Sequence, residues 1–105
     1  MARSLFYRRR FLNRRGHHAN AYVVAEVELE PGKRGERPDV CAQLTIADCR
    51  RSATLDFDVY HARDVANALR KARLLQEILD GFVAALEHAV DERANSECDA
   101  QLPGS

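Results

Sequence analysis

Apolar and polar positions change period once along this chain. Between residues 21 and 30 (AYVVAEVELE), Val23, Ala25, Val27 and Leu29 alternate with Tyr22, Val24, Glu26, Glu28 and Glu30. A period of two marks a strand with one face turned inward. Residues 40–49 alternate in the same way through Val40, Ala42, Leu44 and Ile46, and residues 53–60 do so through Ala53, Leu55, Phe57 and Val59. Residues 4–12 (SLFYRRRFL) mix aromatic and apolar side chains with Arg and predict a further, N-terminal strand.

The connections fit antiparallel pairing. Residues 13–20 (NRRGHHAN) carry one Gly and two Asn, a hairpin-loop composition. Residues 31–39 (PGKRGERPD) place two Pro and two Gly among charges, which neither a helix nor a strand tolerates. Arg50–Arg51–Ser52 is too short a link for a parallel crossover. The strands should form a meander in the order 1-2-3-4.

From residue 62 the period becomes helical. Val65, Leu69, Ala72, Leu75, Leu79, Phe82, Leu86 and Val90 recur at steps of three and four, and Asp64 sits where the helix dipole favours a negative charge. No Ser, Thr or Asn marks the helix start. The pattern fades at Ala94, so residues 1–93 are expected to form one ββββα domain and residues 94–105 a disordered tail. The expected fold is α+β: a two-layer arrangement of a four-stranded antiparallel meander and one long amphipathic helix.

That helix would run ~45 Å at 1.5 Å per residue, against ~26 Å for eight-residue strands. The overhang carries Leu79, Phe82, Val83, Leu86 and Val90, and a homodimer through these residues would cover them. Gly81, Ala84 and Ala85 would let two helix backbones approach closely. A break at Gly81, giving a helical hairpin, is the competing arrangement.

Charge changes this picture more than composition does. The chain has 105 residues, 46% hydrophobic and 30% charged, which fits a folded domain and not a disordered one. Net charge is zero, with 16 basic and 16 acidic side chains, which excludes a globally basic nucleic-acid binder. Yet residues 1–20 hold Arg3, Arg8, Arg9, Arg10, Arg14 and Arg15 and no acidic residue. A basic arm precedes a mildly acidic body. Guanidinium groups pair with phosphates and aromatic faces stack on unpaired bases. Arg8, Arg10, Arg14 and Arg15, with Tyr7 and Phe11, are therefore the candidate nucleic-acid contacts. The opposing expectation is self-neutralisation: a hairpin loop centred near Arg15–His18 would set Arg8 across from Glu26, with Arg10 close by.

Other chemistry is thinner. Arg8–Arg9–Arg10–Phe11–Leu12 resembles a twin-arginine export signal, but charged residues follow where an apolar run is required. No stretch approaches the ~20 apolar residues of a membrane span. Glu26, Glu28, Asp56 and Asp58 would share one sheet face, separated by two inter-strand steps of ~9.6 Å in all, too far to chelate one ion. His17, His18, His61 and His88 and Cys41, Cys49 and Cys98 show no metal-ligand spacing, and lone thiols suit a reducing cytoplasm. No phosphate loop or nucleophile elbow is present, so no cofactor, no metal and no catalysis are expected.

Four meander strands followed by one long helix resemble, in element order over residues 4–92, the whirly-type single-stranded DNA-binding modules. The resemblance is topological and implies single-stranded nucleic acid as the ligand. The acidic outer face of strands 2 and 4 departs from it. The leading expectation is a non-catalytic, dimeric binder of single-stranded DNA or RNA. The alternative is an adaptor or inhibitor that docks on a protein through the acidic sheet face and the apolar helix.

Overall fold

A computed structural model describes residues 2–32 and 36–101, with side chains described up to Ser96. Four strands, β1 (Arg3–Phe11), β2 (Tyr22–Glu30), β3 (Asp39–Asp48) and β4 (Arg51–Asp56), precede one helix, α1 (Ala62–Gln101). The strands form one open antiparallel sheet in the order β1-β2-β3-β4. The α+β class and the meander are as the alternation predicts.

The chain divides into two compact units, residues 1–71 and 72–105. In the first unit, pairing continues past β4. Val59 exchanges backbone hydrogen bonds with Val40 at 2.8 and 2.9 Å, and the Phe57 N–H donates to the Ala42 carbonyl at 2.8 Å. The Ala42 N–H turns instead to Asp58 Oδ1, also at 2.8 Å. A carboxylate thus replaces a backbone carbonyl in the ladder, which is why β4 stops at Asp56 although the alternation runs to Val59.

Side-chain burial in this sheet is slight. Among the described residues, those that are buried are Ala21, Ala42 and Ala47. Val23, Val27, Leu29, Leu44 and Leu55 on the apolar face are only half-buried, and Ile46 is exposed. The expected second layer is not seen within this unit. The first turns of α1 reach the end of the sheet through Lys71, whose Nζ donates to the Asp56 carbonyl at 2.6 Å and lies 5.1 Å from the centre of the Phe57 ring. Val65 and Leu69 on those turns remain exposed.

The helix start has a cap that its sequence conceals. Asp64 Oδ2 accepts the backbone N–H groups of His61 at 3.0 Å and Tyr60 at 3.1 Å, while the Asp64 N–H donates to the His61 carbonyl at 2.9 Å. This is the reaching-back half of a capping box, with His61 at the cap position. Those two N–H donors hold the Asp64 carboxyl below its ordinary range.

In the second unit α1 is uninterrupted through Gly81, so the helical-hairpin alternative is overturned. It also continues to Gln101, eight residues past the point where the apolar period fades. Of the expected disordered tail, residues 94–101 are helical, and residues 102–105 lie outside the described residues. At 100° per residue, Gly81, Ala84 and Ala85 lie about 200°, 140° and 240° round the helix from Leu79. They sit away from the apolar stripe, and an added Cβ at Gly81 would meet nothing within 4 Å. A close backbone approach along the stripe at Gly81 is therefore corrected.

Candidate nucleic-acid interface

β1 is an edge strand, and all nine of its residues are exposed. Its register with β2 pairs Tyr7 with Glu26, Arg8 with Ala25, Arg9 with Val24, Arg10 with Val23 and Phe11 with Tyr22. The ladder is closed at its loop end by the Leu12 N–H donating to the Ala21 carbonyl at 2.8 Å. This register differs by one residue from the one that sets Arg8 across from Glu26. A one-residue slip moves every side chain to the other face. Arg8 and Arg10 therefore flank the apolar face beside Ala25 and Val23, and the expected cross-strand neutralisation by Glu26 does not form. Among the described residues no ion pair joins an N-terminal Arg to a carboxylate.

The same slip divides the predicted contact set. Tyr7 and Phe11 lie on the opposite face from Arg8 and Arg10, while Arg14 and Arg15 lie in the β1–β2 loop. Arg9, which spacing did not single out, sits between Tyr7 and Phe11 on their face. Its guanidinium carbon is 5.7 Å from the centre of the Phe11 ring and 5.9 Å from that of Tyr22. On the other face Arg8 lies 5.3 Å from the centre of the Phe6 ring. Such cation–π contacts contribute ~0.5–1 kcal/mol at exposed sites. They hold the guanidinium planes near the rings without consuming their hydrogen-bond donors. Alternation of aromatic residues and Arg along one strand was the signal for Arg9, and it reads correctly only once the register is known. A bulge at Ser4–Phe6 resets the alternation, so Phe6 joins the Arg8 face and Ser4 the Tyr7 face.

The Tyr7 face changes character along its length. Its loop end carries Phe11, Arg9 and Tyr22, and its far end carries Glu28 and Glu30 with Cys41 and Asp39 beside them on β3. Glu26 and Asp56 flank Gln43 on the same face, as the acidic-face expectation requires. Asp58 closes that side, with its Oδ2 accepting the Tyr60 hydroxyl at 3.0 Å. The bond to Asp58 raises the Tyr60 phenol to about 12. Burial, with Glu30, Asp58 and Asp39 near, pushes the Cys41 thiol up from its ordinary value.

The fold also gathers residues that spacing kept apart. His18 from the β1–β2 loop meets Asp48 and Cys49 at the β3–β4 turn, with their ligating atoms all within 4.8 Å of one another. Loop-to-loop proximity of this kind leaves no spacing motif.

The proposed helix contacts are all exposed: Leu79, Phe82, Val83, Leu86 and Val90 are 45–60% accessible. Among the described residues, no helix is long and apolar enough to cross a membrane. No protein-family model, curated protein or solved structure matches this chain.

Proposed function

We propose that this chain is a small, non-catalytic binder of single-stranded DNA or RNA that uses the β1 edge and works as a homodimer. The observation that carries the reading is the row Tyr7–Arg9–Phe11, exposed on an edge strand with Tyr22 beside it. Bases stack on Tyr7 and Phe11 and the phosphates meet Arg9, Arg14 and Arg15. Arg8 and Arg10 extend positive charge round the edge to the other face. Stacking accepts every base, so sequence preference is weak.

The dimer rests on α1. Leu79, Phe82, Val83, Leu86 and Val90 form one exposed stripe. Removing each large side chain from water contributes ~1.5–3 kcal/mol, and a two-fold axis serves both copies at once. Light scattering at tens of micromolar should give a dimer, and Phe82→Glu with Leu86→Glu should give monomer or aggregate. The free Cys41 and Cys49 thiols support a reducing compartment, the cytoplasm.

Fluorescence anisotropy with oligothymidylate and oligouridylate at two salt concentrations tests the binding. Affinity should fall as salt rises. Arg9→Ala with Phe11→Ala should weaken binding by at least about tenfold, or ~1.4 kcal/mol. Absence of binding at low salt, or binding untouched by that pair, would sink the proposal. The second reading, a protein-docking adaptor or inhibitor, draws on the acidic row Glu26, Glu28, Asp56 and on the exposed apolar stripe of α1. A stoichiometric protein partner retained after nuclease treatment, with no oligonucleotide binding, would favour it.

A further inference from the structure

We propose that His18, Asp48 and Cys49 form a binding site for a borderline-soft divalent transition metal, zinc foremost, at the loop end of the sheet. His18 Nε2 lies 3.8 Å from Asp48 Oδ1 and 3.8 Å from Cys49 Sγ, and all three ligating atoms fall within 4.8 Å. Tetrahedral zinc with ~2.1 Å bonds to nitrogen or oxygen and ~2.3 Å to sulfur sets nitrogen–sulfur edges of ~3.6 Å. The three atoms are thus spaced to surround one ion after side-chain adjustments of a few tenths of an ångström to about one ångström.

The donor set chooses the ion. One thiolate, one imidazole and one carboxylate suit zinc and its neighbours in the first transition row, whereas calcium and magnesium require all-oxygen cages. Two loops remote in sequence supply the ligands, and β2–β3 pairing, with Tyr22 opposite Ala47, brings them to the same end of the sheet. Asn13 fixes the histidine: its Nδ2 donates to the His18 carbonyl at 2.9 Å and lies 3.2 Å from Nε2. The neutral imidazole, with a lone pair on the ligating nitrogen, is the form of histidine that binds metal. As the ion binds, Nε2 exchanges the Asn13 N–H for metal, and the Cys49 thiol releases its proton to solvent. All three ligands are exposed, so water takes the fourth position and exchange with solvent is fast.

A second mark sits on the same residue. Cys49 has φ of 55°, the left-handed region, at the first position of a two-residue hairpin turn where Gly is the favoured residue. A thiol there is held in an unfavourable backbone conformation with its sulfur directed toward His18. Ligation gives that placement a use.

Cobalt(II) titration of the untagged full-length protein tests the site. One equivalent per chain should produce a thiolate-to-cobalt charge-transfer band that zinc then abolishes by displacement. Cys49→Ser should remove the band, and His18→Ala should weaken cobalt binding at least tenfold. Cys41→Ser and Cys98→Ser should leave it intact. Zinc should also raise the melting temperature of the wild type but not of Cys49→Gly, a variant whose backbone suits the turn and which therefore folds. No band with excess cobalt, or a band that survives Cys49→Ser or disappears with Cys41→Ser, overturns the proposal. The readout is independent of nucleic-acid binding.

Discussion

Asp58 serves two donors at once: its Oδ1 accepts the Ala42 N–H at 2.8 Å and its Oδ2 accepts the Tyr60 hydroxyl at 3.0 Å. The first bond replaces part of the β3–β4 ladder, and the second ties the residue before the helix cap to the sheet. Tyr60 consequently titrates at about 12 instead of 10. Because the folded value is raised, the stability from this bond is fully present below pH 10 and is lost as pH rises through about 12. Ultraviolet titration should show one late-ionising tyrosine, and Asp58→Asn should return it toward its ordinary value. A tyrosine titration unchanged by Asp58→Asn would refute the assignment.

Asp64 has the opposite sign. Its carboxyl is held low by the Tyr60 and His61 N–H groups, so its contribution is present above the unfolded carboxylate value and is lost as pH falls through the folded one. Asp64→Ala should fray the first turn of α1 at neutral pH. The variant and the wild type should converge in acid. Amide exchange at Tyr60 and His61 reads this directly: both N–H groups should lose protection in the variant.

Cys49→Gly should stabilise the metal-free protein. At φ of 55° a non-Gly residue carries a penalty of ~1 kcal/mol that Gly does not. Urea unfolding with excess chelator measures it. A destabilised variant under those conditions would mean that the Cys49 side chain supports the turn by packing.

Much of the architecture was legible because alternation and helical periodicity are local. Val23 to Leu29 and Val40 to Ile46 announce their strands without reference to any partner. What was not legible was relational. The pairing of Arg8 with Ala25, and not Glu26, depends on how the Asn13–Asn20 loop closes, and no local pattern records that choice. The same holds for His18 and Cys49, 31 residues apart in sequence and 3.8 Å apart in space. The capping role of Asp64 hid behind a helix start without Ser, Thr or Asn. The end of α1 is hidden from the apolar pattern because residues 94–101 keep helical backbone after the stripe has ended.

Gly81→Ala should add ~1 kcal/mol of helix stability, the propensity difference between the two residues. The added methyl meets nothing within 4 Å and lies away from the Leu79–Leu86 stripe. Thermal melts followed by circular dichroism should shift upward, with the oligomeric state unchanged. A variant that dissociates would place the dimer interface on the Gly81 side of the helix.

That Ala21, Ala42 and Ala47 are the buried side chains of the described residues changes what a truncation scan of this sheet would report. In an ordinary core, Leu→Ala removes packed methyl groups and leaves a void, at ~2–5 kcal/mol. Leu29, Leu44 and Leu55 are only partly covered in the lone chain, so truncation there leaves a gap open to water and not a closed void. Small penalties at these positions would describe the isolated sheet. Full-sized penalties would be the imprint of whatever molecule lies over it, and their distribution across Val23, Leu44 and Ile46 would trace that molecule's outline.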